Sequence, residues 1–408
     1  MGLFVSDRVL ILLDRVAAFE LGNGKEHIHG NLVRAHCDLG WSTVVGVLAQ
    51  PFEFASIAAN SYGAFAIDVR PSRVSNAKIS LGQKLFYGAS EIQIASAIFE
   101  AASRDVAVSG PYDAVLVSLY EKDAPALAAM ALKQFGLTKR VILWEHRSHY
   151  LSPPRNPITR FRLLRRRRDL FKWCDAAVAI SDSLARLMER AMGLRLGLVK
   201  VVPNVVSSSF FSEPVSRSLS AKVALPAEKF VFAAQNFTRP IKGFRTLLKS
   251  IESIGSRRRD IRFKLAGTFP SWFDDWIAAS DCSDMVEVLG RVPHEDMPGL
   301  LSRARLSVIS SRTETFSNPA AEALASGVPV VSTVCGGPES FIVDGLHGRL
   351  VERDRPDLLA QAIEQVWDRR EDFDSEKLLA YAMERFGFPG WSRYWRSLYE
   401  SLGVRRDG

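Results

Sequence analysis

Two carboxylates, Glu314 and Glu322, lie eight residues apart in Ser311-Arg312-Thr313-Glu314-Thr315-Phe316-Ser317-Asn318-Pro319-Ala320-Ala321-Glu322. Two carboxyl groups can serve as acid and nucleophile at a glycosidic carbon. A glutamate near a helix start can also do no more than complement the helix dipole. Asn318 reads as the N-cap of a short helix and Pro319 as its first residue, which places Glu322 in the first turn and Glu314 in the loop before it. A second group of residues suits phosphate. Asn236, Arg239 and Lys242-Gly243 follow the apolar run Phe230-Val231-Phe232-Ala233-Ala234, and such cations neutralise charge that grows on a departing phosphate. Gly22-Asn23-Gly24 follows the first apolar run and opens a helical pattern at Glu26. A glycine turn there presents backbone N–H groups, at Gly24 in particular, to an anion. His146 closes the run Val141-Ile142-Leu143-Trp144-Glu145, with Arg147 and His149 beside it. It reads either as a hydrogen-bonded structural histidine or as a group facing a ligand.

The elements that must carry these residues are legible from apolar periodicity. Strands are expected near 8–14, 43–49, 64–70, 112–120, 140–146, 175–181 and 199–202, and again near 230–236, 260–267, 284–289, 305–310, 328–334 and 348–352. Helical patterns lie between most of them, which is the sequence pattern of two doubly wound parallel sheets. Each candidate residue falls just past the carboxyl end of a strand or at the start of the following helix, where open α/β sheets bind ligands. The divide is expected at Pro203-Asn204-Val205-Val206-Ser207-Ser208-Ser209, a polar, serine-rich stretch. The expected domains are 1–203 and 204–387, both Rossmann-like, followed by an aromatic-rich helical segment at 388–408.

The bulk composition narrows the class. The chain has 408 residues, 47% apolar and 24% charged, ordinary for a two-domain globular protein. No apolar run approaches 18 residues, so no transmembrane helix is expected. The first residues lack the basic, apolar and small-residue regions of a signal peptide, and the expected location is the cytoplasm. Cys37, Cys174, Cys282 and Cys335 are scattered without paired spacing, which argues against zinc and against a disulfide scaffold. His27-x-His29 is a close pair without further nearby ligands, so no metal is expected. The net charge of +8 favours an anionic partner.

Glu314-x7-Glu322, followed by Ala323-Leu324-Ala325-Ser326-Gly327-Val328-Pro329-Val330-Val331, resembles the signature of glycosyltransferase family 4, the retaining, group 1 type family with the GT-B fold. The resemblance implies two Rossmann-like domains facing across a cleft, with the final helix crossing back to the N-terminal domain. It implies a retaining glycosyltransferase whose donor is a nucleotide-diphosphate sugar, with no metal and no other cofactor. Glu322 would accept hydrogen bonds from ribose hydroxyls, and Glu314 would contact the transferred sugar. Backbone N–H groups at Phe316, Ser317 and Asn318 would meet sugar or phosphate oxygens. His146 would contact the donor sugar and the acceptor side, and Gly24 would lie near the diphosphate. Lys242-Gly243 matches the family pattern. Asn236 stands where the family usually has Arg, and Gln235 where it has Gly; Arg239 or the Asn236 amide would then supply the missing phosphate contact. The family's favoured route is front-face attack through an oxocarbenium-like state, the departing phosphate taking the acceptor's proton. Asp372-Phe373-Asp374 resembles a metal motif of another fold and reads as a solvated run.

Residues 155–173 carry eight cations against Asp169 alone, interleaved with Phe161, Leu163, Leu164, Leu170, Phe171 and Trp173. This mixture fits an anionic membrane surface, or a helix with one packed and one wet side; nucleic acid is the least favoured partner. The expected acceptor is a glycan or lipid-linked glycan of cell-surface polysaccharide or lipopolysaccharide assembly. A soluble small-molecule acceptor and a catalytically silent sugar-nucleotide-binding module stay open beside it.

Overall fold

The structure, a computed structural model, describes residues 8–13, 36, 42–47, 65–68, 89–119, 123–147, 156–193, 199–211 and 229–404. The chain divides into two compact units, Met1–Pro203 with Trp391–Gly408, and Asn204–Gly390.

The first unit holds β1 Arg8–Leu13, β2 Ser42–Val47, β3 Phe65–Asp68, α1 Ala89–Ser109, β4 Ala114–Leu119, α2 Ala124–Gln134, β5 Val141–Glu145, α3 Pro157–Trp173, β6 Ala176–Ala179, α4 Asp182–Met192 and β7 Val199–Val201. The strands form one parallel sheet, β3-β2-β1-β4-β5-β6-β7. Helices cover parallel sheets on both faces, so their strands read as unbroken apolar runs; all six residues of β4 are buried. Asn156 caps α3, its side chain accepting from Ile158 N at 2.9 Å and Thr159 N at 3.1 Å.

The basic run is not uniformly a surface. Arg166 Nη2 lies 2.7 Å from Asp123 Oδ2, and Arg167 also pairs with Asp123. Arg147 joins them at 3.0 Å from Asp123 and 2.8 Å from the buried Glu145. Two cations of α3 thus face inward onto a carboxylate cluster, while Arg160, Arg162, Arg165 and Arg168 stay exposed beside Ile158, Phe161 and Trp173. The reason is helical geometry: 17 residues span several turns, and successive arginines point in different directions.

The second unit holds β8 Phe230–Asn236, α5 Phe244–Gly255, β9 Phe263–Thr268, α6 Trp272–Ala279, β10 Val286–Gly290, α7 Met297–Leu301, β11 Ala304–Ile309, α8 Asn318–Ala325, β12 Val330–Thr333, β13 Gly348–Val351, α9 Pro356–Asp368 and α10 Ser375–Phe386. The sheet is again parallel, in the order β10-β9-β8-β11-β12-β13. From β8 the chain winds outward through β9 and β10, then returns to place β11 on the other side of β8. The β8–β11 junction is therefore the topological switch point, where crossovers leave in opposite directions and a crevice opens.

The last helix, α11 Phe388–Ser401, places Trp391, Trp395 and Tyr399 on one face by their four-residue spacing, and all three are fully buried. Trp391 Nε1 donates to Pro203 O at 2.6 Å, and the rings of Trp391 and Trp395 pack 6.2 and 5.0 Å from that of Trp144. The Tyr399 hydroxyl meets His36 Nε2 at 2.9 Å. These contacts all lie within the first unit.

Candidate functional site at the β8 and β11 ends

Past β8 the chain makes a tight turn over Pro240–Lys242, then passes through Gly243 with φ of +63°. A Cβ on Gly243 would lie 1.9 Å from the carbonyl oxygen of Ser310, at the end of β11. Only glycine allows both that left-handed backbone and that approach. The two loops are stitched together where they meet: Ser310 Oγ donates to Lys242 O at 2.9 Å, and Arg312 N to Ile241 O at 2.7 Å. This close approach carries the Lys242 side chain to Glu314, with Nζ 2.7 Å from Oε1 and side-chain exposures of 17% and 11%.

Glu314 is held from other directions as well. Its backbone N–H donates to Cys335 O at 2.8 Å. The Ser311 hydroxyl lies 2.7 Å from Glu314 Oε1 and 3.0 Å from Gln235 Oε1; with one proton it donates to one of them at a time. Gln235 Nε2 and Ser317 Oγ are both buried without a hydrogen-bond partner among the described residues. Buried polar atoms are ordinarily satisfied by protein groups or by ordered water. The Cys335 thiol is pushed far up by burial and then by the charges of Glu314 and Glu339. It stays protonated, which removes it as a nucleophile.

Asn318 opens α8 rather than capping it. The cap is Ser317, at φ +82° and ψ +78° and with no side-chain bond into the helix, so Pro319 is the second helical residue. The Asn318 side chain instead accepts from Asn204 Nδ2 at 2.9 Å. The left-handed Ser317 is not foreseen by residue type, since serine takes that backbone only where surrounding structure compels it. Phe316 is a core residue, its ring 5.1 Å from Phe341 and 5.6 Å from Phe386, so its side chain is spent on packing. Glu322, fifth in α8, is 8% exposed, and its Oε1 lies 3.1 Å from His294 Nε2.

The remaining residues singled out in the sequence are placed as follows. Asn236 is exposed, and its Oδ1 accepts from Thr238 N at 3.2 Å, Thr238 Oγ1 at 2.6 Å and Thr268 Oγ1 at 2.8 Å. That carbonyl is taken by Thr238 of the same turn and by Thr268 at the end of β9. Arg239 is exposed and lines a cavity of about 250 Å³ with Phe237, Gly243, Trp272 and Arg312; it does not enter the Lys242–Glu314 network. His146 belongs to the first unit, just past β5, 7% exposed with its ring 4.2 Å from that of Trp144. Gly24 and His149 lie outside the described residues. Asp374 caps α10, accepting from Glu376 N at 3.0 Å and Lys377 N at 3.1 Å.

The structure therefore gathers Lys242, Glu314, Gln235 and Ser311 at the switch point and sets Glu322 against His294. Gln235 was visible in the sequence only as a departure from a pattern. Ser311 and His294 carried no signal, because an isolated serine or histidine in a loop has no distinguishing neighbours.

Residues 227–369 match the family described as Glycosyl transferases group 1. Lys242, Glu314, His294 and Glu322 all lie within the matched residues. The chain is 27% identical over 241 residues to a D-inositol 3-phosphate glycosyltransferase of Nocardiopsis dassonvillei, a match covering 56% of each. The chain spans about half the length, or less, of the curated relatives it matches. It is similar in structure to sucrose-phosphate synthase from Thermosynechococcus elongatus, with a TM-score of 0.72, 15% identity and coverage of 97% of this chain and 99% of that one. It is also similar to HepE from Anabaena in complex with UDP and glucose, with a TM-score of 0.69, 19% identity and coverage of 97% and 100%. The two units thus have the two parallel-sheet domains of the GT-B fold.

Proposed function

We propose that this chain is a retaining glycosyltransferase that moves a sugar from a nucleoside-diphosphate sugar to a glycan or lipid-linked acceptor in cell-surface polysaccharide or lipopolysaccharide assembly. The observation that carries the reading is the Lys242–Glu314 pair at the switch point of the second unit, beside the unpartnered Gln235 Nε2. When the donor enters, Lys242 exchanges Glu314 for the diphosphate, and Glu314 turns to hydroxyls of the transferred sugar. The Glu322 carboxylate takes ribose hydroxyls, and Gln235 Nε2 and Ser317 Oγ gain acceptors. His146 and Gly24 of the first unit are candidates for sugar and diphosphate contacts.

In the transfer step the bond from the anomeric carbon to the phosphate oxygen breaks, and the acceptor oxygen bonds to the same face of that carbon. The acceptor's proton goes to the leaving phosphate, giving a nucleoside diphosphate and a glycoside of retained configuration. Lys242 offsets the charge that grows on the phosphate in place of a metal. HepE in complex with UDP and glucose supports a uridine donor as the first to test. The exposed Ile158, Phe161 and Trp173 among the outward arginines of α3 support contact with an anionic membrane that presents the acceptor, on the cytoplasmic side.

A second reading, a sugar-nucleotide-binding module without turnover, is favoured by Asn236, a neutral amide where the resemblance leads one to expect a cation. One experiment separates the two. The full chain is titrated calorimetrically with UDP-, GDP- and ADP-sugars, and transfer from the tightest binder is followed with membrane extracts and with soluble sugars. We expect turnover with membranes, reduced about 100-fold by Lys242→Ala. Tight binding without turnover selects the silent module, and unimpaired turnover in Lys242→Ala refutes the leaving-group role.

A further inference from the structure

Glu314 and Glu322 are held in different ways. Glu314 has a lysine and a serine; among the described residues Glu322 has neither a lysine nor an arginine partner, and its side-chain contact is His294. The two residues are 28 apart in sequence, yet Nε2 and Oε1 meet at 3.1 Å, with side-chain exposures of 14% and 11%. His294 opens the short turn His294–Asp296 that follows β10, and its ring stands edge-on to Phe210 at 5.2 Å and 63°. Phe210 is 1% exposed and comes from the Ser208–Phe210 turn near the start of the same unit. The imidazole is thus fixed on one side by a buried ring and on the other by the carboxylate.

We infer that His294 is a positioning residue for nucleotide recognition, holding the Glu322 carboxylate in the orientation that accepts the two ribose hydroxyls. The inference rests on the ribose role proposed for Glu322. A glutamate has three side-chain torsions, and a diol is bound well only when both carboxylate oxygens are presented together. A donor on Oε1 removes that freedom before the ligand arrives. It leaves Oε2 and the second lone pair of Oε1 for the hydroxyls. In this contact Nε2 carries the proton and donates, because a carboxylate only accepts. Phe210 sets the plane of the ring, so the chain entering the second unit, the β10 loop and α8 together define one hydroxyl-reading group.

The test compares the best binder among UDP, GDP and ADP with its 2′,3′-dideoxy form, by calorimetry on the full chain. His294→Leu keeps bulk against Phe210 and removes the donor, whereas His294→Gln keeps a donor. Glu322→Gln serves as the reference. We expect His294→Leu to weaken the hydroxylated nucleotide about tenfold and to leave the dideoxy form unchanged. His294→Gln should restore most of the loss, and the His294→Leu, Glu322→Gln double variant should be no worse than Glu322→Gln alone. A merely structural histidine would weaken both nucleotides alike. If Glu322→Gln loses the hydroxyl-dependent affinity and His294→Leu does not, the positioning role is overturned while the ribose role stands. If wild-type protein binds both nucleotides equally, the ribose role fails and the inference falls with it.

Discussion

Replacing Gly243 by alanine tests the junction that delivers Lys242. Gly243 and Gly290 lie in the same unit with nearly the same backbone, φ +63° and +65°. They differ in space: a Cβ at Gly290 meets nothing within 4 Å, whereas one at Gly243 lies 1.9 Å from the Ser310 carbonyl oxygen. Gly290→Ala therefore carries only the left-handed penalty, about 1–2 kcal/mol. Gly243→Ala carries that penalty plus the cost of forcing two loops apart, about 1–3 kcal/mol more. Contacts under 3.0 Å do not occur for real Cβ atoms, so the Ser310 backbone must retreat by about 1 Å. The displaced carbonyl belongs to the segment stitched to Ile241 and Lys242, so the lysine moves with it. For a domain of this size about 1 kcal/mol shifts the melting temperature by about 2–4 °C. Scanning calorimetry of the full chain should therefore show a fall of about 3–5 °C for Gly290→Ala and about 10 °C for Gly243→Ala. Titration with UDP should show binding lost only in the latter. Equal melting shifts, or retained binding in Gly243→Ala, would refute the claim that the Ser310 approach is what requires glycine.

Two further outcomes concern the first unit. Burial pushes the carboxyls of Asp123 and Glu145 up, but Arg167, Arg147 and Arg166 around Asp123, and Arg147 and Arg167 around Glu145, outweigh it and hold both below the ordinary carboxylate range. Depressed folded values mean stability that is present above the unfolded value of about 4 and is lost as pH falls through the folded values. Asp123→Asn should be less stable at pH 7 yet lose less on acidification, and melting profiles of variant and wild type that run parallel below pH 4 would contradict the cluster's role. Trp391→Ala removes a fully buried indole and its bond to Pro203 O, at a cost of about 3–5 kcal/mol; calorimetry of the full chain should show a lower melting temperature, and an unchanged one would contradict the packing role of this indole.

Much of the fold was legible because strands of a parallel sheet are covered on both faces. Runs such as Val115-Leu116-Val117 and Phe230-Val231-Phe232 then declare themselves without reference to anything distant. The expected strands appear in both sheets, most of them shorter by one to three residues. Lys242-Gly243 was legible as a pair, although the reason for the glycine was not. Glu314 and Glu322 with their flanking residues resembled glycosyltransferase family 4, and they lie within the residues that match the group 1 family. The start of α8 was misplaced by one residue, because a local pattern cannot report that Ser317 is forced left-handed. Neither reading of the basic run, a membrane surface or a helix with a packed and a wet side, turned its arginines inward, because Asp123, which draws in Arg166 and Arg167, lies 43 and 44 residues away.

The sequence by itself determined the strands, the order in which they are made and the candidate site residues. Apolar runs, turn residues and charge are properties of short segments. The tertiary structure alone decided partnership. Lys242 meets Glu314 across 72 positions because β11 returns to lie beside β8. His294 meets Glu322 because the loop after β10 reaches the middle of α8. Such pairings follow from strand order and crossover direction, which local periodicity does not encode, and they turn isolated carboxylates into a candidate site.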